Sequence, residues 1–242
     1  MPRASIFAFN TNAEVTQVRI GRSQITLTLI EDVLDDPASV ATAGFAQSYT
    51  ENSSNFYPGM RAVMPEDFST ALRTWLTPIL RNNRVLQPDQ TLYRDESFFS
   101  VVTKASTELL PIQRIPHYDS TDPKLLAAVI YLCHTKSTET KFSGTSFYRH
   151  RRTGYEEITA ENRANYQLAL DHDMRMHGPP QREYTDGDSF LFETIFATPL
   201  KFNSAVIYPG GILHAATIHR QFHPPQNKSD WRLTITAALQ ST

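Results

Sequence analysis

The chain has 242 residues, 40% of them hydrophobic and 20% charged, which excludes a disordered or collagen-like polypeptide and leaves room for one sizeable core. Lysine and arginine number 23 against 25 acidic residues, and the net charge of -2 lacks the basic excess that binding to nucleic acid requires. The single cysteine, Cys133, excludes an intrachain disulfide, and the longest clean apolar run, Leu125 to Cys133, is about half of what a membrane-spanning helix needs. The apolar stretch Ile6 to Phe9 is too short for an export signal, so the expectation is a cytoplasmic protein that binds neither nucleic acid nor membrane.

Ile25 to Leu29 alternates strictly and predicts a strand with one buried face. Asp36-Pro37 offers a cap and a first-turn proline for a short helix from Ala38 to Phe45, before a turn-rich segment from Glu51 to Gly59. A longer helix opens at Pro65-Glu66-Asp67 and carries Phe68, Leu72, Trp75, Leu76, Ile79 and Leu80 at helical spacing, with Pro78 inside it as a kink. From Ser97 onward, short β-branched and aromatic runs predict strands at Phe98 to Thr103, Leu109 to Ile115, Leu125 to Cys133, Ser146 to Arg149, Ala205 to Tyr208 and Trp231 to Leu239. One helix interrupts them, from a Thr159 cap to a basic last turn at Arg175 and His177, closed by Gly178-Pro179. Many short strands argue for a sandwich or barrel. The expectation is a single domain over 1–242, with a core at about 97–240, a helical insertion at about 155–180, and strand and helix support from 1–90.

The residues that carry chemistry are His117-Tyr118-Asp119 and His214 in Gly210-Gly211-Ile212-Leu213-His214. Residues two apart on a strand share a face, so His117 and Asp119 can grip one ion while Tyr118 points away, and a distant strand supplies His214. Two imidazoles and one carboxylate leave three adjacent coordination positions open, which suits non-haem iron, whereas a structural zinc takes a closed tetrahedron. The triplet alone carries little weight; order and context add to it. The strand Ala127 to Cys133 follows, then Ser143-Gly144-Thr145-Ser146-Phe147, Ala205 to Gly210, and Trp231-Arg232-Leu233-Thr234.

This order resembles the iron(II)- and 2-oxoglutarate-dependent dioxygenases of the prolyl-hydroxylase-like type, over roughly half the chain, from Gln113 to Leu239. The resemblance implies a mainly β fold with flanking helices, built on a double-stranded β-helix, the cupin-like jelly roll. It implies Fe(II) held by His117, Asp119 and His214, with Tyr131 and Arg232 on the distal carboxylate of the cosubstrate 2-oxoglutarate. Arg232 suits that part independently, since a planar guanidinium binds a carboxylate with two parallel hydrogen bonds, and Thr234 shares its face. The implied activity is hydroxylation of a small-molecule or peptide substrate, with succinate and carbon dioxide as coproducts. Cys133 stands where the family's Tyr-Leu-Asn strand has asparagine, Ser143-Gly144 stands for its Gly-Gly, and about fifty residues follow Tyr148 before the next matched strand, so prolyl substrates are not implied. Two alternatives remain open: an inactive jelly-roll binding module, and a cupin-like metal enzyme that does not use 2-oxoglutarate.

Three further features compete with this site. Asp171-His172-Asp173 with His177 reads as a solvated helix end and Arg149-His150-Arg151-Arg152 as an exposed hairpin tip, while Arg114, separated from the metal group by Pro116, has no assigned role. His223 to Asp230 reads as the loop that returns the Arg232 strand beside the His214 strand.

Overall fold

The computed structural model describes residues 6–51, 57–133 and 144–242. Ser143 and part of the turn-rich segment from Glu51 to Gly59 lie outside them. In chain order the elements are β1 (Glu14–Ile20), β2 (Ile25–Glu31), α1 (Pro37–Phe45), β3 (Gly59–Val63), α2 (Glu66–Asn82), β4 (Leu92–Val102), β5 (Leu125–Tyr131), β6 (Thr145–His150), α3 (Arg163–His177), β7 (Phe192–Ala197), β8 (Ser204–Pro209), β9 (His214–Ala216) and β10 (Leu233–Ser241). They form a seven-stranded sheet in the order β1-β2-β8-β5-β10-β4-β3 and a three-stranded sheet in the order β7-β6-β9. Every paired strand is antiparallel. This is the mainly β, jelly-roll architecture with flanking helices that the sequence implies.

β5, at the centre of the larger sheet, is buried on both faces, which is why it reads as an unbroken apolar run rather than an alternating one. Ala128, Ile130, Ile207, Ile235, Ala237 and Phe99 point to one side and form a core with Phe68, Leu72, Leu76 and Leu80 of α2 and with Val40 and Ala41 of α1. Ala127, Val129, Tyr131, Val206 and Tyr208 point to the other side, where Phe147 of the smaller sheet meets them. The helical layer thus closes one face and leaves the opposite face to the site.

The helices follow from local chemistry. The Asp36 side chain accepts from the Ser39 N–H and caps α1, with Pro37 in its first turn. Glu66 and Asp67 sit at the positive end of α2 and Arg81 at its negative end, and the helix runs through Pro78 to Asn82. Ser69 and Arg73 of α2 reach Asp95 on β4, fastening helix to sheet.

Four sequence expectations are corrected. Leu109 to Ile115 is not a strand: it holds a short 3-10 turn, Pro111–Arg114, and follows another, Ser106–Glu108, because Glu108 and Gln113 fold back onto the N–H groups of Ala105 and Leu110. The third helix starts at Arg163, not after a Thr159 cap, since the Asn162 side chain bridges the Thr159 N–H and the Glu157 carbonyl in a preceding turn. The Arg232 segment returns beside β4 and β5 in the larger sheet, not beside the His214 strand, which pairs with β6. Finally, the basic cluster is only partly a hairpin tip. Arg149 is buried in ion pairs with Glu156 and Glu193, His150 is buried, and Asp173 is likewise buried beside His150 and Arg152, while Arg151 and Arg152 are exposed.

Candidate metal centre and cosubstrate cavity

His117 follows the second 3-10 turn and bridges to His214 at the start of β9, outside any longer strand. Each histidine donates its backbone N–H to the carbonyl of the other, at 2.9 and 2.8 Å. The Asp119 N–H donates to the Gly210 carbonyl at 2.7 Å, so the turn before β9 fixes the carboxylate while the histidine pair fixes the imidazoles. As a result His117 Nε2 lies 3.8 Å from Asp119 Oδ1, His214 Nε2 lies 3.7 Å from Asp119 Oδ2, and the imidazole centroids are 4.4 Å apart. One donor atom from each of the three residues falls within 4.8 Å of the others.

The donor set fits a divalent metal. The His214 Nδ1–H donates to the Ile212 carbonyl at 2.9 Å, which directs the Nε2 lone pair toward Asp119. Desolvation, followed by the neighbouring His214, holds His117 down to about 4, so its ring is neutral and has a lone pair to offer. The His214 ring also rests against Tyr208, 4.8 Å between centroids. The side chain of His214 is almost wholly buried and that of Asp119 is about a third exposed, which opens the group on one side only.

That side is a cavity of about 400 Å³ between the two sheets, lined by His117, Asp119 and His214, by Arg232 and Thr145, and by the small inner-face residues Ala127, Val129, Thr236 and Ala238. Arg232 is 2% exposed and donates from Nη2 to the Gly144 carbonyl at 2.9 Å; among the described residues its Nε is buried without a partner, and its guanidinium lies 5.8 Å over the Tyr131 ring. The Tyr131 hydroxyl is bonded to Thr145 Oγ1 at 2.8 Å and Thr198 Oγ1 at 3.1 Å, and burial raises its pKa so that it stays protonated. Thr234 is fully buried beneath this group and donates to the Ser100 carbonyl at 3.4 Å.

His117, Asp119, His214 and Arg232 therefore line one cavity, Tyr131 braces Thr145, and Thr234 bonds the Ser100 carbonyl. The sequence reading missed the hydroxyl of Thr145, the ring of Tyr208 and the guanidinium of Arg61, all of which line the cavity. Thr145 stood within a quoted motif; Arg61 belongs to a strand whose sequence, Gly59–Val63, carries no motif. Among the described residues, no helix is long and apolar enough to cross a membrane.

Comparison with solved structures places this architecture. It matches the crystal structure of a prolyl-4-hydroxylase from Pseudomonas putida with a TM-score of 0.51 at 10% identity, covering 90% of this chain and 94% of that one. The non-haem α-ketoglutarate-dependent carbocyclase SnoK of nogalamycin biosynthesis follows at 0.49 and 16% identity, covering 88% and 79%. HygX from Streptomyces hygroscopicus, solved with nickel, 2-oxoglutarate and hygromycin B, follows at 0.45 and 12% identity, covering 92% and 87%. The first of these shows a shared fold, that of the prolyl-hydroxylase-like oxygenases. The curated proteins contain no match. Residues 11–239 match the model of a family of unknown function, DUF6445, and the chain belongs to that family.

Proposed function

We propose that the protein is a non-haem iron(II)- and 2-oxoglutarate-dependent oxygenase that hydroxylates a small-molecule or peptide substrate, with Fe(II) held by His117, Asp119 and His214. The observation that carries this reading is the convergence of those three side chains on a wall of the cavity that Arg232 also lines. Iron(II) with 2-oxoglutarate and dioxygen supplies an oxidant able to insert oxygen into a C–H bond, leaving succinate and carbon dioxide.

The chain's own part is binding, orientation and exclusion of water. Asp119 contributes the charge and the two imidazoles the remaining ligands, which leaves one face free for a chelating cosubstrate and dioxygen. Arg232 has donors to spare beyond the Gly144 carbonyl and takes the distal carboxylate of 2-oxoglutarate. The Thr145 hydroxyl, held in place by Tyr131, adds a neutral donor at the same end. Ala127, Val129 and Thr236 leave space for a substrate beside the metal position, and Ile218 and Tyr208 keep that space apolar.

An anaerobic titration of the metal-free protein with Fe(II) and 2-oxoglutarate tests the reading. A visible charge-transfer band that needs both additions, and is lost in His214→Ala, is the expected result. No band from the folded wild-type protein would overturn it and leave a binding module or a metal enzyme that does not use 2-oxoglutarate.

A further inference from the structure

The cavity has a second arginine that neither the metal nor the cosubstrate accounts for. Arg61 projects from β3, which pairs with β4 at the margin of the larger sheet, and its residue is placed opposite Ser100 on one side and bridges Thr50 on the other. Its guanidinium is sandwiched by rings, 4.7 Å from the centroid of Tyr57 and 5.3 Å from that of Phe98. Stacking of this kind fixes the plane of the group while leaving its N–H edge free to bond. Among the described residues, its Nε is buried without a partner and Arg61 makes no ion pair.

Arg61 lines the same cavity as His117 and Asp119, and the groups feel one another: burial lowers the pKa of Arg61, while Tyr57 and then Asp119 act to raise it. A desolvated cation without a counter-ion is costly, and the cost is recovered when an anion arrives. The cosubstrate does not supply that anion. A divalent metal on Asp119 and the guanidinium of Arg232 together balance the two carboxylates of 2-oxoglutarate, which leaves the charge of Arg61 unmatched. The other acid on the described cavity lining, Glu96, is exposed and accepts from Arg94.

We infer that Arg61 is a second carboxylate anchor, which holds an acid group of the substrate beside the metal position and so selects anionic substrates. This rests on the proposed function for the identity of the neighbouring cosubstrate. Its chemistry is that of the guanidinium edge: two parallel N–H donors toward one carboxylate, at an angle set by the Tyr57 and Phe98 rings.

The test is calorimetric and needs no turnover. Protein loaded with Mn(II) and saturating 2-oxoglutarate is titrated with 3-phenylpropionate and, separately, with the uncharged 3-phenylpropanamide. The wild type should prefer the acid by roughly tenfold or more, Arg61→Met should lose the preference, and Arg61→Lys should keep part of it, as expected for a charge-assisted hydrogen bond. Thermal melts of both variants establish that they are folded. No preference in the wild type, or a preference that survives in Arg61→Met, overturns the inference. A weakening of 2-oxoglutarate itself by roughly tenfold in Arg61→Met would assign the guanidinium to the cosubstrate and overturn it equally. If the wild type binds no 2-oxoglutarate, the proposed function fails on its own, and the acid and amide titrated against the Mn(II) protein still decide the role of Arg61.

Discussion

His117 and His214 are joined through their backbones by two reciprocal hydrogen bonds, so the positions of their imidazoles are set by strand pairing before any ion is bound. The hydrogen-bonded register of an antiparallel pair brings the two side chains to the same face, and the short bridge leaves Asp119 to complete the group from the turn at Gly210.

Removing one imidazole should therefore abolish metal binding without unfolding the protein, because the backbone pair survives the loss of the side chain. His214→Ala is expected to weaken Mn(II) or Fe(II) binding by more than about 100-fold. Calorimetry with each metal, alongside a circular dichroism melt, checks it; unchanged metal affinity in a folded variant would remove His214 from the ligand set.

Arg232 divides metal binding from cosubstrate binding. Arg232→Lys keeps a charge but cannot donate in parallel to one carboxylate, so the affinity for 2-oxoglutarate should fall by roughly tenfold, and further in Arg232→Met, with metal affinity retained. Titration of 2-oxoglutarate into the Mn(II) forms of both variants reads this directly.

Acid sensitivity has a named contributor outside the three metal-binding residues. Glu156 is fully buried in its side chain and accepts from the N–H groups of Arg22 and Ser23, at 2.9 Å each, and from Arg149. Burial would raise its pKa, but these donors outweigh burial and hold it below the ordinary 4.5. A carboxylate lowered in the folded state contributes stability that is complete above its unfolded pKa and is lost as pH falls through the folded one. Melting temperature should thus decline below about pH 5 in the wild type and decline less steeply in Glu156→Gln, which at pH 7 should be destabilised by about 3 kcal/mol because Arg149 loses a buried partner. Parallel melts from pH 7 to pH 3 would show it, and identical slopes would rule Glu156 out.

Gly144 is a position beside the proposed cosubstrate end where a side chain is not tolerated. A Cβ there would lie 2.2 Å from Thr198 Oγ1, the hydroxyl that bonds Tyr131, and the Gly144 carbonyl is the acceptor for Arg232. Gly144→Ala should cost about 1 to 3 kcal/mol of stability and weaken 2-oxoglutarate binding together with it, whereas Gly154→Ala, with open space around its Cβ, should leave cosubstrate binding untouched. Denaturant melts and calorimetry on the two variants separate the effects.

Much of the architecture is legible in the chain because each strand's pattern reports its neighbours. The alternation of Ile25 to Leu29 reveals a strand, and the unbroken Leu125 to Cys133 run reveals one covered on both faces, by α2 on one side and by the smaller sheet on the other. The segment Leu109 to Ile115 deceives by composition: its apolar residues invite a strand, while Pro111 and the side chain of Gln113 bend it into turns. His117, Asp119, His214 and Arg232 stand out as unusual residue types in apolar surroundings. Arg61 could not be found the same way, since its significance arises from Tyr57, Phe98 and a cavity lining assembled from six other strands. The pairing of Arg149 with Glu156 was hidden similarly, because a hairpin brings them together and the run of basic residues around Arg149 suggests a solvated surface.

The cavity separates its two charged ends by layer: the histidines and Asp119 belong with the smaller sheet, whereas Arg232 leads into the larger one. A 2-oxoglutarate chelated at one end and clamped at the other would be a strut across the sandwich, added to the bonds that Tyr131 and Arg232 already make to Thr145 and Gly144. The stiffness of the mouth would then be set by the supply of a metabolite as much as by the sequence, and the protein would be at its most rigid when primed to react.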